Sequence, residues 1–258
     1  MKIILKTLKW TGLSILGLLL FLVLLLALDN NAKDIQMTEQ QQAAIQPQRE
    51  YDAKVDSSFY YQLLKEYGKN KKLAEGFEYQ CLLALSHYPE LKETRMDFLV
   101  QPTFLPLASR PETMSVIFPW VKRKYQVIIS SESADFFEKI LLKNTPFNEQ
   151  VGIIGHELAH SVYYQDKNSF QLAKMAYDYQ YGDIQVAFER ETDKRAVAHG
   201  LGYQMYDFAY FVRRAFGDSE EEIEAEEGDM YLSPPEILAE MEKYDFYDLE
   251  GLEKSPAK

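Results

Sequence analysis

The sequence predicts an α+β fold, mainly helical, with a small antiparallel sheet and one N-terminal transmembrane helix. Three observations predict it. Apolar residues recur at helical spacing through most of the chain. Short β-rich runs, punctuated by prolines, cluster between residues 94 and 130. An uncharged apolar run lies near the start of the chain, behind three lysines. The 258 residues, 47% of them hydrophobic, supply a sizeable core, which excludes wholesale disorder. Lys and Arg number 28 against 40 Asp and Glu, so the net charge is −12. No basic excess exists to displace counterions from phosphates, which argues against a nucleic-acid partner. A single cysteine, Cys81, excludes an internal disulfide framework and any multi-cysteine metal site.

Residues 1–28 form the first element. Residues 13–28 carry no charge, and the run extended back to Trp10 is long enough, at 1.5 Å per residue, to match a hydrocarbon core of about 30 Å. Lys2, Lys6 and Lys9 precede it while Asp29 and Asp34 follow, which places the N-terminus in the cytoplasm and the rest of the chain on the exported side. A cleaved signal segment is the rival reading and would make the chain secreted. Against it stand the length of the apolar run and Leu25 at the −3 position of a cut after Ala27. Residues 29–48 are polar and Gln-rich and read as a juxtamembrane linker or a loosely held helix.

Residues 49–258 then form one domain, with a catalytic core at about 113–216. Val55, Phe59, Leu63 and Tyr67 share one helical stripe, and Leu73, Phe77, Cys81 and Leu85 another over 71–88. Cys81 therefore reads as core packing, and His87 as a helix-end residue. Runs at 96–100, 113–118 and 125–130 are expected to be strands, the last two as a hairpin around residues 120–123. From Ser131 onward helices are expected at 133–142, 147–164, 168–181, 183–199 and 202–216. The run 218–229, with eight acidic residues, reads as a solvated loop. A last helix starts at Ser233-Pro234-Pro235, where serine caps and proline fits the first turn.

The chemistry concentrates in 147–193. His156-Glu157-Leu158-Ala159-His160 is an HExxH sequence. On a helix, His156 and His160 lie on one face and can share one Zn²⁺ at about 2.0–2.1 Å. Glu157 is placed to take a proton from a water that zinc has acidified towards a pKa of about 7. The flanking residues 151–155 and 161–162 are uncharged, as a helix buried behind a metal site needs. A catalytic zinc wants a third protein ligand and an open position. Glu189 and Asp193, again four residues apart, share a face of a second helix. Glu189 can supply the ligand, and Asp193 can accept the outer ring N–H of a histidine.

The order GHELAH followed some thirty residues later by Glu189-x-Glu191-x-Asp193 resembles the gluzincin zinc metallopeptidases, in particular the M48-like group. The stretches MSVIFPWVKRKYQVIISSES and FNEQVGIIGHELAH are similar to that group's strand–turn–strand and active-site helix. The resemblance covers about residues 113–200. It implies one zinc per chain held by His156, His160 and Glu189, with Asp193 behind them. It also implies a Glu157 general base, and a substrate lying antiparallel to an edge strand, either 113–118 or 125–130. Ser233 stands where the group often has a histidine. His199, Tyr203, Tyr206 and Tyr231 are candidate transition-state stabilisers by side-chain chemistry alone.

The expected function is that of a membrane-anchored zinc endopeptidase acting on envelope polypeptides from the exported side. Its partners are polypeptide substrates and, through the N-terminal helix, the membrane. The alternative is a zinc-containing chaperone-like or assembly module without proteolysis. An amidase acting on cell-wall peptides is a third reading.

Overall fold

The computed structural model describes residues 2–27, 32, 37–118, 120–225, 228, 230–250 and 252, without the side chains of 2–10, 13 and 25–27. Pro119, most of the linker residues 29–36, and Glu226, Glu227 and Asp229 of the acidic run lie outside the described residues. Helix α1 spans Lys2–Ala27, with exposed apolar side chains such as Ile15, Leu18 and Leu20. Among the described residues no helix is long and apolar enough to cross a membrane. The described part of the linker includes a short helix. Thr38 and Gln41 form a capping box on α2, Glu39–Ala43. Arg49 then pairs with Asp207 through both guanidinium nitrogens, at 2.7 and 3.0 Å.

Helix α3, Ser57–Tyr67, is capped by Asp56, and β1, Lys71–Lys72, follows. The second expected helix is thus shorter than 71–88: α4 runs Glu78–Ser86. Asn70 and Gly76 both have positive φ, which stops a helix from starting earlier. Cys81 is fully buried in α4, as its apolar stripe predicts.

The sheet contains β1, β2 (Met96–Gln101), β3 (Leu107–Pro111) and β4 (Tyr125–Ser130), in the order β1-β2-β4-β3. It is mixed, where the sequence predicts an antiparallel sheet: β1 and β2, and β2 and β4, pair parallel, and only β3 and β4 pair antiparallel. The expected strand 113–118 is instead the short helix α5, Thr113–Ile117. Its β-branched residues yield to local hydrogen bonds, with both the Ser115 hydroxyl and the Ser115 N–H donating to Glu112 O. The outer strand is β3, a segment obscured by its flanking prolines. Ser130 N–H donates to Pro106 O and Glu112 N–H to Lys124 O, so even-numbered residues pair inward and 107, 109 and 111 face the open edge. Pro111 fits there because its missing N–H belongs to the open side.

Two 3-10 turns, Asp135–Ile140 and Leu142–Asn144, replace the helix expected at 133–142. Helix α6, Phe147–Gln165, is the centre of the domain, in contact with α4, β3 and β4, and with α8 (Gly182–Ala196) and α9 (Gly202–Phe216). Gly152 permits the α9 approach: a Cβ there would lie 2.5 Å from Gln204 O. Helix α7 is Ser169–Asp178. The helix expected at 183–199 ends at Ala196, and a wide π turn, Val197–Leu201, leads into α9. Gly200, at φ 86°, makes that turn, and a Cβ there would strike Ile45 at 2.7 Å. Helices α10, Glu220–Ala225, and α11, Pro234–Met241, close the fold, the latter behind a Ser233–Glu236 capping box.

Candidate metal centre

Helix α6 is buried on nearly every side, so its two histidines sit in the interior, 2% and 5% exposed. Helix α8 crosses it and contributes Glu189, Thr192 and Asp193, all buried. Four residues of spacing on each helix thus bring two imidazoles to two carboxylates. His156 Nδ1 lies 2.7 Å from Asp193 Oδ1, and Leu232 N–H donates to Asp193 Oδ2 at 2.8 Å. The carboxylate is anchored from both sides and accepts the His156 Nδ1 proton. The His160 Nδ1 is 3.2 Å from the Thr192 hydroxyl, whose own proton goes to Phe188 O at 2.8 Å. His160 Nδ1–H therefore donates to Thr192.

These outer bonds fix what the inner nitrogens present. In the neutral tautomers, Nε2 of both rings carries a lone pair. Both face Glu189 Oε2, at 3.1 Å from His156 and 3.3 Å from His160. The Tyr179 hydroxyl donates to the other Glu189 oxygen at 2.5 Å, leaving Oε2 free to turn inward. Three acceptors thus converge without a donor among them, and a proton or a cation must stand between them. For tetrahedral ligands at 2.0–2.1 Å from zinc, neighbouring donors are separated by about 3.3 Å, which matches the observed spacing. The donor set fits zinc chemistry: two borderline nitrogens and one carboxylate oxygen.

Glu157 adjoins this triad. His156, Glu157 and His160 form a buried group, their possible ligand atoms all within 4.8 Å of one another, that could hold a metal ion. One Glu157 oxygen, Oε2, is buried with no hydrogen-bond partner. Burial raises the Glu157 pKa above the ordinary carboxylate value, against the lowering pull of His160 and His156. For Glu189, burial also acts upwards, but the bonds to His156 and His160 prevail and hold its pKa well below the usual range. Burial would lower the His156 pKa, yet Asp193 and Glu189 together raise it well above the ordinary value.

An apolar cleft of about 380 Å³ opens beside His156, lined by Leu107 of β3, Phe137, Ile153, Met205 and Tyr231. Tyr231 packs edge-on against His156 with ring centroids 5.7 Å apart. His199, Tyr203 and Tyr206 are not brought to the site. His199, six residues past Asp193 and so turned away from it, is buried against Glu90 and Arg195 O. Tyr203 donates to Asp248 O, and Tyr206 packs on Tyr210. Ser233 is fully buried as the cap of α11. Glu191 points away and pairs with Lys194. Arg190 ties α8 to α11 through Glu236 and to Gly228 O.

Sequence reasoning missed Tyr179, Thr192 and the Leu232 N–H. Thr192 was findable, lying between Glu189 and Asp193 on the same helix; Tyr179 reaches the site only through the α7–α8 connection. No family model matches the chain, and no curated protein or solved structure matches it.

Proposed function

We propose that the protein is a zinc-dependent endopeptidase, anchored in a membrane through α1, that cleaves polypeptides on the exported side. The observation that carries this is the convergence of His156 Nε2, His160 Nε2 and Glu189 Oε2 with their outer partners already satisfied. A structural zinc prefers four dedicated protein ligands; here three atoms converge, and Glu157 in the same buried cluster keeps one oxygen without a hydrogen-bond partner, as a base beside a catalytic ion would. His156, His160 and Glu189 would hold the ion, which supplies Lewis acidity to a substrate carbonyl and to water.

The remaining work falls to the chain itself. Glu157 accepts the proton of the attacking water and passes it to the leaving amine. Its pKa, raised by burial, suits a group that must both take and return a proton. Asp193 and Thr192 keep the ligand imidazoles in the tautomer that turns Nε2 inward. The open edge of β3 lies next to α6, with Tyr164 OH donating to Ser109 O at 3.3 Å and the two serine hydroxyls of Ser109 and Ser161 2.9 Å apart. An extended peptide would pair with the outward groups of Leu107 and place an aliphatic or aromatic side chain in the apolar cleft. The kinship with M48-like gluzincins suggested by the HExxH and Glu189…Asp193 spacing belongs to this reading.

Glu157→Gln is the test. It preserves shape and removes the base, so peptide hydrolysis by the purified full chain should fall about 10²–10⁴-fold. Metal content, read by elemental mass spectrometry, should stay at one zinc per chain. Undiminished hydrolysis in the variant sinks the proposal. A chain that binds zinc but cleaves no peptide would favour the non-proteolytic alternative.

A further inference from the structure

Helix α7 has two unlike faces. Leu172 is buried and Met175 packs against the core, while Phe170 and Tyr177, seven residues apart on the opposite face, are 53% and 59% exposed. Lys174 lies between them on that same face, paired with Asp178. Tyr181 extends the stripe, its hydroxyl 2.9 Å from that of Tyr177. Helix α5 is fastened alongside: the Ser169 hydroxyl donates to Val116 O at 2.6 Å and Arg123 donates to Ser169 Oγ at 3.1 Å. From it project Met114 and, just beyond, Trp120, which is 70% exposed and packs on Phe118. Helix α1, with its exposed leucines, lies against α5 and α7 and no other part of the domain as closely.

Aromatic side chains interleaved with a lysine are the composition of a bilayer interface, where rings sit at headgroup level and a lysine stem reaches from apolar surface to charge. We infer that the face built from α5, residue 120 and α7 rests in the headgroup layer of a lipid bilayer, next to the point where α1 enters it. A protein partner would be expected to cover an apolar core. Here the patch is a row of aromatic rings, Tyr177, Tyr181 and Trp120 with polar tips, continuous with the helix proposed to be in the membrane. The inference rests on that anchoring of α1. It also sets a geometry for the metal centre, since α7 leads directly to Tyr179, which holds Glu189. The centre then stands over the membrane surface, and the substrates it meets are membrane-proximal polypeptide segments.

The chain's two tryptophans allow a direct test. Trp10→Phe leaves Trp120 as the sole reporter, and Trp120→Phe leaves Trp10. Each full-length variant is reconstituted into phosphatidylcholine–phosphatidylglycerol vesicles carrying bromine near the glycerol end of the acyl chains or near their middle. Trp120 is expected to lose emission most strongly to the shallow bromines, to shift to the blue, and to be shielded from aqueous iodide. Adding Phe170→Ser and Tyr177→Ser should restore iodide access without disturbing the buried face of α7. If Trp10 is bromine-quenched while Trp120 answers only to iodide, the inference is overturned and the anchor stands. If neither tryptophan answers to bromine, both fall. Shielding of Trp120 from iodide without bromine quenching would place protein, such as a second copy, on the face and also overturn it.

Discussion

The four histidines form two interior pairs, and the pairs differ in one respect that separates structure from chemistry. His87 and His199 belong to a closed network. His87 Nδ1 donates to His199 O at 2.8 Å and its Nε2 meets the Tyr51 hydroxyl at 2.5 Å. His199 Nδ1 lies 2.7 Å from Arg195 O and its Nε2 2.6 Å from Glu90 Oε1, with Tyr88 stacked on its ring. Every ring nitrogen there has a partner of its own. His156 and His160 match that pattern only at their outer nitrogens. Their inner nitrogens converge on one oxygen, Glu189 Oε2. Burial alone does not distinguish a candidate ligand from a core histidine; the convergence of two rings on one carboxylate oxygen does.

The sharpest way to break the comparison is to remove one member of each set. Glu189→Ala should abolish stoichiometric zinc binding by the purified chain, because two histidines do not complete the site. His199→Gln should leave one zinc per chain while costing about 1–3 kcal/mol of stability, since buried Glu90 Oε1 loses the ring it bonds. Zinc lost equally from both variants would erase the distinction.

Acid should also separate the pairs. Burial lowers the His87 pKa to about 4, with the charge of His199 acting the same way and the bond to His199 O opposing. The folded state therefore binds fewer protons than the unfolded state between about pH 6.5 and 4, so stability falls as pH drops through that window. His87 contributes up to about 3 kcal/mol of that loss. Urea unfolding across this range, in chelator to silence the metal pair, should show a shallower fall for His87→Asn than for the parent chain. Identical slopes would remove His87 from the account.

A smaller effect is expected at Asp193→Asn. The amide keeps the shape but no longer holds the His156 proton or the Leu232 N–H as strongly, so zinc affinity should weaken about 10–100-fold. Competition with a chromogenic chelator reads it. A change confined to stability would make Asp193 a packing residue only.

Much of this centre was legible in the sequence because helices translate spacing into direction. His156 and His160 meet on one face, as do Glu189 and Asp193, whatever the rest of the chain does. Helix α6 and the Ser233 cap were equally local. The sheet was not. Which runs become strands depended on partners distant in sequence, so 113–117 coiled against α7 while 107–111, framed by prolines, became the outer strand. Tyr179 and Leu232 were hidden for the same reason, being delivered by tertiary packing. His199, which helical counting turns away from Asp193, does face away, and its partner Glu90, 109 residues distant in sequence, was not legible.

The prolines that concealed β3 have a further effect on the molecule's behaviour in a crowd. An open sheet edge is a template on which chains zip together into aggregates. Here the edge is bounded by Pro106 and Pro111, carries Arg110, and has Ser109 O engaged by Tyr164. Little more than the Leu107 rung stays available for pairing. An edge so short can hold a guest segment in passing, yet gives two copies of the chain too few rungs to grow a shared sheet.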